Sequence, residues 1–161
     1  MKTLIVYGTT YGFTEQCAKT LAQKLDDSTD LVNIGKGDPA TLAGYDTVVL
    51  GSSIYMGQIN KKLKDYMDAH AVELAKKKVG LFLCSGLPEN LEQNFNTNFP
   101  RQLLEVAVAK EHFGGVLDKS KMSFGHKMIT KMMENVTQKE GKPAPTPKPE
   151  GIERLAAAIN S

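Results

Sequence analysis

Apolar residues along this chain follow two alternating patterns. Runs without polar interruption occur at Leu4–Tyr7, Thr47–Leu50 and Val79–Cys84, and between them apolar residues return every three or four positions. Uninterrupted runs are typical of parallel strands buried on both faces, whereas the longer spacing is typical of amphipathic helices. The pattern therefore predicts an α/β fold, with a parallel sheet between two layers of helices.

Two weaker segments complete the predicted sheet. Asp30–Ile34 is predicted as the second strand, and Val106–Phe113 contains the fifth, which two glycines end. Five parallel strands with connecting helices predict a three-layer, doubly wound α/β sheet with strand order 2-1-3-4-5. The length of 161 residues is enough for one such core, so we expect a single domain over residues 1–161.

Helical spacing predicts the connecting elements and one addition. The predicted helices are Phe13–Leu25, a short helix from near Pro39, Asn60–Leu74, Leu91–Leu104 and Ile152–Ile159. An added segment, residues 118–149, stands before the last of them. Within it, Ser120–Val136 is predicted as a Met-rich amphipathic helix, and the alternate prolines of Gly141–Pro149 predict an extended connector.

Composition narrows the class of protein. The net charge is +2, from 20 basic and 18 acidic residues that are mostly interspersed, which does not indicate nucleic-acid binding. No apolar run reaches the length of about 18 residues that a membrane span needs, and the start of the chain enters a strand without a signal-peptide pattern. We therefore expect a cytoplasmic protein.

The cysteines and histidines offer little chemistry of their own. Cys17 and Cys84 have no metal-ligand spacing and are expected to be isolated, buried thiols in a reducing compartment. His70 and His112 are single histidines without metal-ligand partners, so we expect packing or surface positions for them. The sequence predicts no metal site and no separate catalytic acid, base or nucleophile.

The loop after the first strand has the composition of a phosphate site. Its hydroxyl groups come from Thr9, Thr10 and Thr14. Gly12 lets the backbone approach a ligand, and the helix beginning near Phe13 directs its N–H groups and positive dipole end to the same place. The loop lacks the lysine of a P-loop and the spaced glycines of a dinucleotide fold. It suits one terminal phosphate monoester, as in a mononucleotide cofactor; the alternative is a threonine-rich cap on an ordinary helix.

Two further loops follow the third and fourth strands. Their candidate ligand residues are Ser52, Ser53, Ile54, Tyr55, Met56 and Gly57 in the first, and Cys84, Ser85, Gly86 and Leu87 in the second. Ligands of open parallel sheets bind beyond the carboxyl ends of the strands, where these loops meet. Small residues admit a planar ligand there, and Tyr55 offers a ring on which it can stack.

Together these loops resemble those of flavodoxin-fold FMN proteins, over nearly the whole chain. The residues that match the family's phosphate loop are Thr9, Thr10, Gly12, Thr14 and Glu15; Tyr11 and Phe13 stand where the family has threonine and asparagine. The resemblance implies non-covalent FMN, with its phosphate held by Thr9–Thr14. It also implies that the two later loops flank the isoalloxazine ring, where backbone groups tune the redox potential.

A narrower resemblance concerns the substrate. Met1–Ile5, Gly51–Gly57 and Phe124–Met133 are similar to the menaquinone-dependent protoporphyrinogen IX dehydrogenase family. This implies an FMN-dependent oxidoreductase with a quinone or other small-molecule acceptor. The methionine stripe of the predicted helix is expected to pack in the core or in a lid; the alternative is a docking surface for a large apolar substrate, or for a quinone at a membrane surface.

Two other functions fit the sequence. One is a flavodoxin electron carrier that serves a redox partner protein and has no substrate of its own. The net charge of this chain is slightly basic, and it has Leu87 where such carriers have an aromatic residue. Both features favour an enzyme over an electron carrier. The other is a cofactor-free interaction module with the same fold, for which Tyr11 and Phe13 are the best support.

Overall fold

A parallel sheet lies at the centre of the protein. The computed structural model describes residues 2–9, 12–39, 41–55, 57–85, 91–115 and 148–161. Within them the strands are β1 Lys2–Gly8, β2 Ser28–Asn33, β3 Thr47–Ser53, β4 Lys78–Cys84 and β5 Ala107–His112. They form one sheet of order β2-β1-β3-β4-β5, and every adjacent pair is parallel. The predicted fold class and strand order are confirmed.

Helices cover both faces of the sheet. Those of the described residues are α1 Phe13–Lys24, α2 Lys61–Leu74, α3 Leu91–Asn98, α4 Arg101–Val106 and α5 Pro149–Asn160. Alternate residues of β1 show the layering, because successive side chains of a strand point to opposite faces. Leu4 and Val6 pack in the core that α2, α3 and α4 cover, whereas Ile5 and Tyr7 pack in the core that α1 and α5 cover.

Pro100 divides the segment that the sequence predicts as one helix. Instead of a single helix over Leu91–Leu104, the structure has α3 and α4, with Pro100 as the N-cap of α4. Proline has no N–H to donate and disfavours helical geometry in the residue before it. The break still keeps the apolar side chains inside, since Phe99 stacks on Phe95 with ring centroids 5.5 Å apart and both are buried.

The predicted short helix near Pro39 is wrong. Position 39 and residues 41–46 contain no helix, and a 3-10 turn at Ile34–Lys36 precedes them. The Asn33 side chain caps the 3-10 turn, since its Oδ1 accepts the Gly35 N–H at 2.9 Å, and after Pro39 the Thr41 Oγ1 accepts the Ala43 N–H at 3.0 Å and closes a local turn. Such bonds give the backbone an alternative to helical pairing.

The last helix begins earlier than predicted, at Pro149 rather than Ile152. Pro149 therefore belongs to the first turn of α5, where its missing N–H has no cost, and not to an extended connector. Just before it, the Lys148 N–H donates to Phe113 O at 2.9 Å. The rest of the added segment, including the predicted helix Ser120–Val136, lies outside the described residues. Within the described part of the chain, no helix is long and apolar enough to span a membrane.

Candidate functional site

Three predicted loops meet at one edge of the sheet. The register pairs Gly8 with Ser52, and Ser53 with Cys84, so the carboxyl ends of β1, β3 and β4 are side by side. The Ile54 N–H donates to Cys84 O at 2.9 Å and joins two of the loops directly. Five of the predicted ligand residues lie outside the described residues: Thr10, Tyr11, Met56, Gly86 and Leu87.

The first loop turns sharply into α1. Gly12 has φ of 94°, a left-handed conformation that glycine adopts without strain, and its N–H donates to Thr9 Oγ1 at 2.9 Å. The Gln16 N–H donates to Gly12 O at 3.2 Å as the first bond of the helix. Among the described residues no side chain caps this end, so the first N–H groups of α1 and its positive dipole end are available to a ligand.

The Thr14 hydroxyl is a candidate ligand donor. Its side chain is only 1% exposed, and within the described residues its Oγ1 makes no hydrogen bond of ordinary geometry, although the Cys84 thiol, a weak hydrogen-bonding group, is its neighbour. A buried hydroxyl without a partner costs about 1–3 kcal/mol. In the first turn of an uncapped helix, this hydroxyl fits a role as donor to an anionic oxygen, and a phosphate group fits that position.

Glu15 places a carboxylate in the same helical turn. The Tyr7 hydroxyl donates to Glu15 Oε1 at 2.8 Å, and Lys19 Nζ lies 3.9 Å from the same oxygen. Burial, and then the neighbouring carboxylate, raise the pKa of Tyr7 to about 12. Tyr7 therefore stays a neutral donor, and together with Lys19 it balances the negative charge of Glu15 near the proposed phosphate position.

The β3–α2 loop, residues 54–60, contains a tight turn that internal hydrogen bonds stabilise. Tyr55 and Gln58 exchange two backbone hydrogen bonds of 2.9 and 3.0 Å, and Gly57 has φ of 78°. The buried Ser52 side chain donates to Ser53 O at 2.8 Å and accepts the Asn60 N–H at 3.0 Å. Ser52 Oγ thus supports the conformation of the loop.

Sequence reasoning missed Asn98, which contacts the same loop. Asn98 is 3% exposed. Its Oδ1 accepts the Ile59 N–H at 3.2 Å, and its Nδ2 donates to Gly57 O and Asn94 O, both at 2.9 Å. The only signal in the sequence was its position three residues after Phe95, on the apolar face of the helix.

The β4 end is tied to β5 by His112. The Ser85 N–H donates to Gly114 O at 2.9 Å, and His112 Nε2 lies 3.1 Å from Ser85 O. A carbonyl only accepts, so Nε2 carries the proton. Burial lowers the pKa of His112, as does the charge of Lys148, although the Ser85 carbonyl acts in the opposite direction. His112 is therefore a neutral packing residue, as predicted.

His70 also takes the packing or surface position expected of it. His70 is half-buried on α2, with its ring centroid 4.5 Å from that of Tyr66. Among the described residues, no group of three or more His, Cys, Asp or Glu side chains could hold a metal ion.

The two cysteines lie next to each other, which the sequence did not indicate. Both are free and buried, as predicted. Burial, and then the adjacent Cys17, raise the pKa of the Cys84 thiol well above its usual range, whereas the neighbouring Thr14 hydroxyl acts in the opposite direction. The Cys84 thiol is therefore protonated at neutral pH, and it adds no charge to the site.

Comparisons with known proteins agree with this geometry. Protoporphyrinogen IX dehydrogenase [quinone] of Leishmania major is 28% identical in an alignment 146 residues long, which covers 84% of this chain and 63% of that protein. The chain spans less than two thirds of the curated relatives it matches, down to 42% for the Escherichia coli K12 protein of the same name.

Solved structures show the same fold. Oxidised flavodoxin 1 of Bacillus cereus has a TM-score of 0.51 and 17% identity, covering 81% of this chain and 98% of its own. A Fusobacterium nucleatum flavodoxin bound to flavin mononucleotide has a TM-score of 0.51 and 13% identity, covering 68% of each chain. The flavodoxin domain model matches residues 4–143. The chain therefore belongs to the flavodoxin domain family.

Proposed function

We propose that this protein is a redox flavoprotein that transfers electrons or hydride through non-covalently bound FMN. The observation that supports this most directly is the buried Thr14 hydroxyl at the start of α1, which makes no hydrogen bond of ordinary geometry within the described part of the chain. It lies at the carboxyl end of a doubly wound sheet, the usual ligand position in such folds. Membership of the flavodoxin domain family, together with the likeness in fold to a flavodoxin solved with flavin mononucleotide, supports the same cofactor.

The proposed binding residues fall into two groups. The phosphate is assigned to Thr9, Thr10, Tyr11, Gly12, Phe13 and Thr14. The isoalloxazine ring is assigned to Ser52, Ser53, Ile54, Tyr55, Met56 and Gly57, together with Cys84, Ser85, Gly86 and Leu87. When bound, FMN supplies the redox chemistry, and the chain supplies orientation and electrostatics. The N–H groups and dipole of α1 balance the phosphate charge, while a protonated Cys84 and a neutral His112 keep added charge away from the ring loops.

Flavin binding tests the proposal directly. Apoprotein titrated with FMN should quench the flavin fluorescence and retain the visible flavin bands after dialysis. Thr10→Asp and Thr14→Asp should each abolish binding, because they place negative charge against the phosphate. Thr20→Asp is the matched control, since it adds the same charge to α1 farther from its start, at an exposed hydroxyl.

The outcomes separate the broad alternatives. Full FMN affinity in both Asp variants would show that the phosphate position is wrong. A wild-type protein that does not bind FMN would instead favour the cofactor-free interaction module.

Protoporphyrinogen IX dehydrogenation with a quinone acceptor is the more specific candidate. Its support is the 28% identity over 84% of the chain to the Leishmania major protein of that name. FMN-loaded protein should oxidise protoporphyrinogen IX with menadione as acceptor, at a rate that depends on both. FMN-loaded protein that fails to do so, but exchanges electrons with a redox partner protein, would be an electron carrier.

A further inference from the structure

We propose that Asn98, which lies outside the ligand loops, is a positioning residue that fixes the β3–α2 loop against the flavin ring. Through that loop it contributes to flavin affinity and redox potential. This inference rests on the proposed FMN-dependent function.

The amide group of Asn98 matches the main-chain groups around it. Asn98 is 3% exposed, and its three hydrogen bonds all go to main-chain groups. Oδ1 faces an N–H group, and Nδ2 faces two carbonyls. Aspartate has the same shape but, when ionised, has no donor, and alanine has neither donor nor acceptor. An amide side chain of this length therefore matches the site, and these substitutions do not.

Asn98 contacts the second half of the β3–α2 loop. Gly57 O and Ile59 N–H lie on either side of Gln58, whose main chain pairs with Tyr55. Asn98 thus fixes the arm of the turn that leads to α2, while the Ile54 bond to Cys84 O fixes the other arm. Gly57 has positive φ and no side chain to restrict it, so its carbonyl direction depends on this partner.

The conformation of the β3–α2 loop should affect how FMN binds. Main-chain groups beside the ring tune a flavin through hydrogen bonds and dipoles. Without Asn98 the loop would sample several conformations, and the apparent affinity would fall with the binding-competent fraction. We expect FMN to bind about tenfold more weakly, or weaker still, with a shifted midpoint potential.

The test compares four variants as purified proteins. Asn98→Ala and Asn98→Asp remove the donors to Gly57 and Asn94. Asn96→Ala is the matched control, because Asn96 is an exposed asparagine on the same helix. Ile159→Val is a destabilised control at the end of α5, in the core on the other face of the sheet from α3. For each protein we would measure the FMN dissociation constant, the flavin midpoint potential and the thermal midpoint of the apoprotein.

The expected result is specific. Both Asn98 variants lose affinity and shift the potential, Asn96→Ala changes neither, and Ile159→Val lowers only the thermal midpoint. Wild-type affinity and potential in a folded Asn98 variant would overturn the inference and leave the proposed function standing. So would an equal loss of affinity in Ile159→Val. A wild-type protein that does not bind FMN would instead overturn the proposed function.

Discussion

The phenyl ring of Phe82 lies directly against Gly51, in the space that a Cβ atom at position 51 would fill. The two residues are paired in the register of β3 and β4, and Phe82 also stacks on Phe113 with ring centroids 4.5 Å apart. Gly51 stands two residues before the end of β3. The close packing of Phe82 therefore requires glycine at position 51, near the end of the strand that leads into the β3–α2 loop.

Gly51→Ala should lower the free energy of unfolding by about 1–3 kcal/mol, because the added methyl group overfills the core. Urea denaturation, monitored by circular dichroism, measures this change in the free energy of unfolding. Phe82→Leu, which shrinks the facing side chain, should relieve part of that loss, so the double variant should be less destabilised than the sum of the single variants. Additive effects would contradict the assigned contact.

Thr14→Val should have opposite effects on stability and binding. The apoprotein should become more stable by roughly 1 kcal/mol, because a methyl group replaces a buried hydroxyl whose only polar neighbour among the described residues that we identify is the weakly bonding Cys84 thiol. FMN should bind about tenfold more weakly, because a phosphate donor is lost. Calorimetric titration with FMN and thermal denaturation of the apoprotein give the two values. A loss of apoprotein stability would mean that the hydroxyl already has a partner.

His112 should make stability depend on pH in a known direction. Its pKa is lower in the folded protein than its usual value of about 6.5, so the unfolded state binds more protons. The free energy of unfolding should therefore fall as pH drops below about 6.5. His112→Gln, which keeps a side-chain donor for Ser85 O, should show a smaller loss. Urea denaturation at about pH 7.5 and pH 5.5 tests the difference, and equal losses would contradict it.

Cys17 and Cys84 should be unreactive in the native protein. Both are buried, and burial raises the pKa of Cys84, which suppresses the reactive thiolate. Ellman's reagent at about pH 8 should modify them only as fast as the protein unfolds, and at once in urea. The variants Cys17→Ser and Cys84→Ser each keep one thiol, so any reaction with the reagent can be assigned to that cysteine. A thiol that reacts rapidly without denaturant would show an exposed site.

The sequence predicts the sheet well because the relevant information is local. Leu4–Tyr7 and Val79–Cys84 are uninterrupted apolar runs, and strands buried on both faces need no other signal. The prediction of one helix over Leu91–Leu104 is wrong, although Pro100 within that helical pattern was a sequence signal for the break. The predicted helix near Pro39 is wrong because the Thr41 side chain bonds to the Ala43 N–H and closes a turn there instead.

The candidate site was predictable in outline but not in its internal support. Strand-end position and small polar residues indicate the ligand loops, since parallel strands bring their carboxyl ends together. Asn98 gives no such signal, because its partner Ile59 is 39 residues away in the chain. The contact between Cys17 and Cys84 is likewise set by how α1 packs on the sheet, which neither residue's neighbours in sequence reveal.

The bond from the Lys148 N–H to Phe113 O closes the base of the added segment. The chain leaves the described core at Gly115 and returns at Lys148, so both ends are anchored on the strand-end side of β5 and α5. A change in the length of the chain between these two anchors should therefore leave the strand order of the sheet and the loops at its carboxyl edge unchanged.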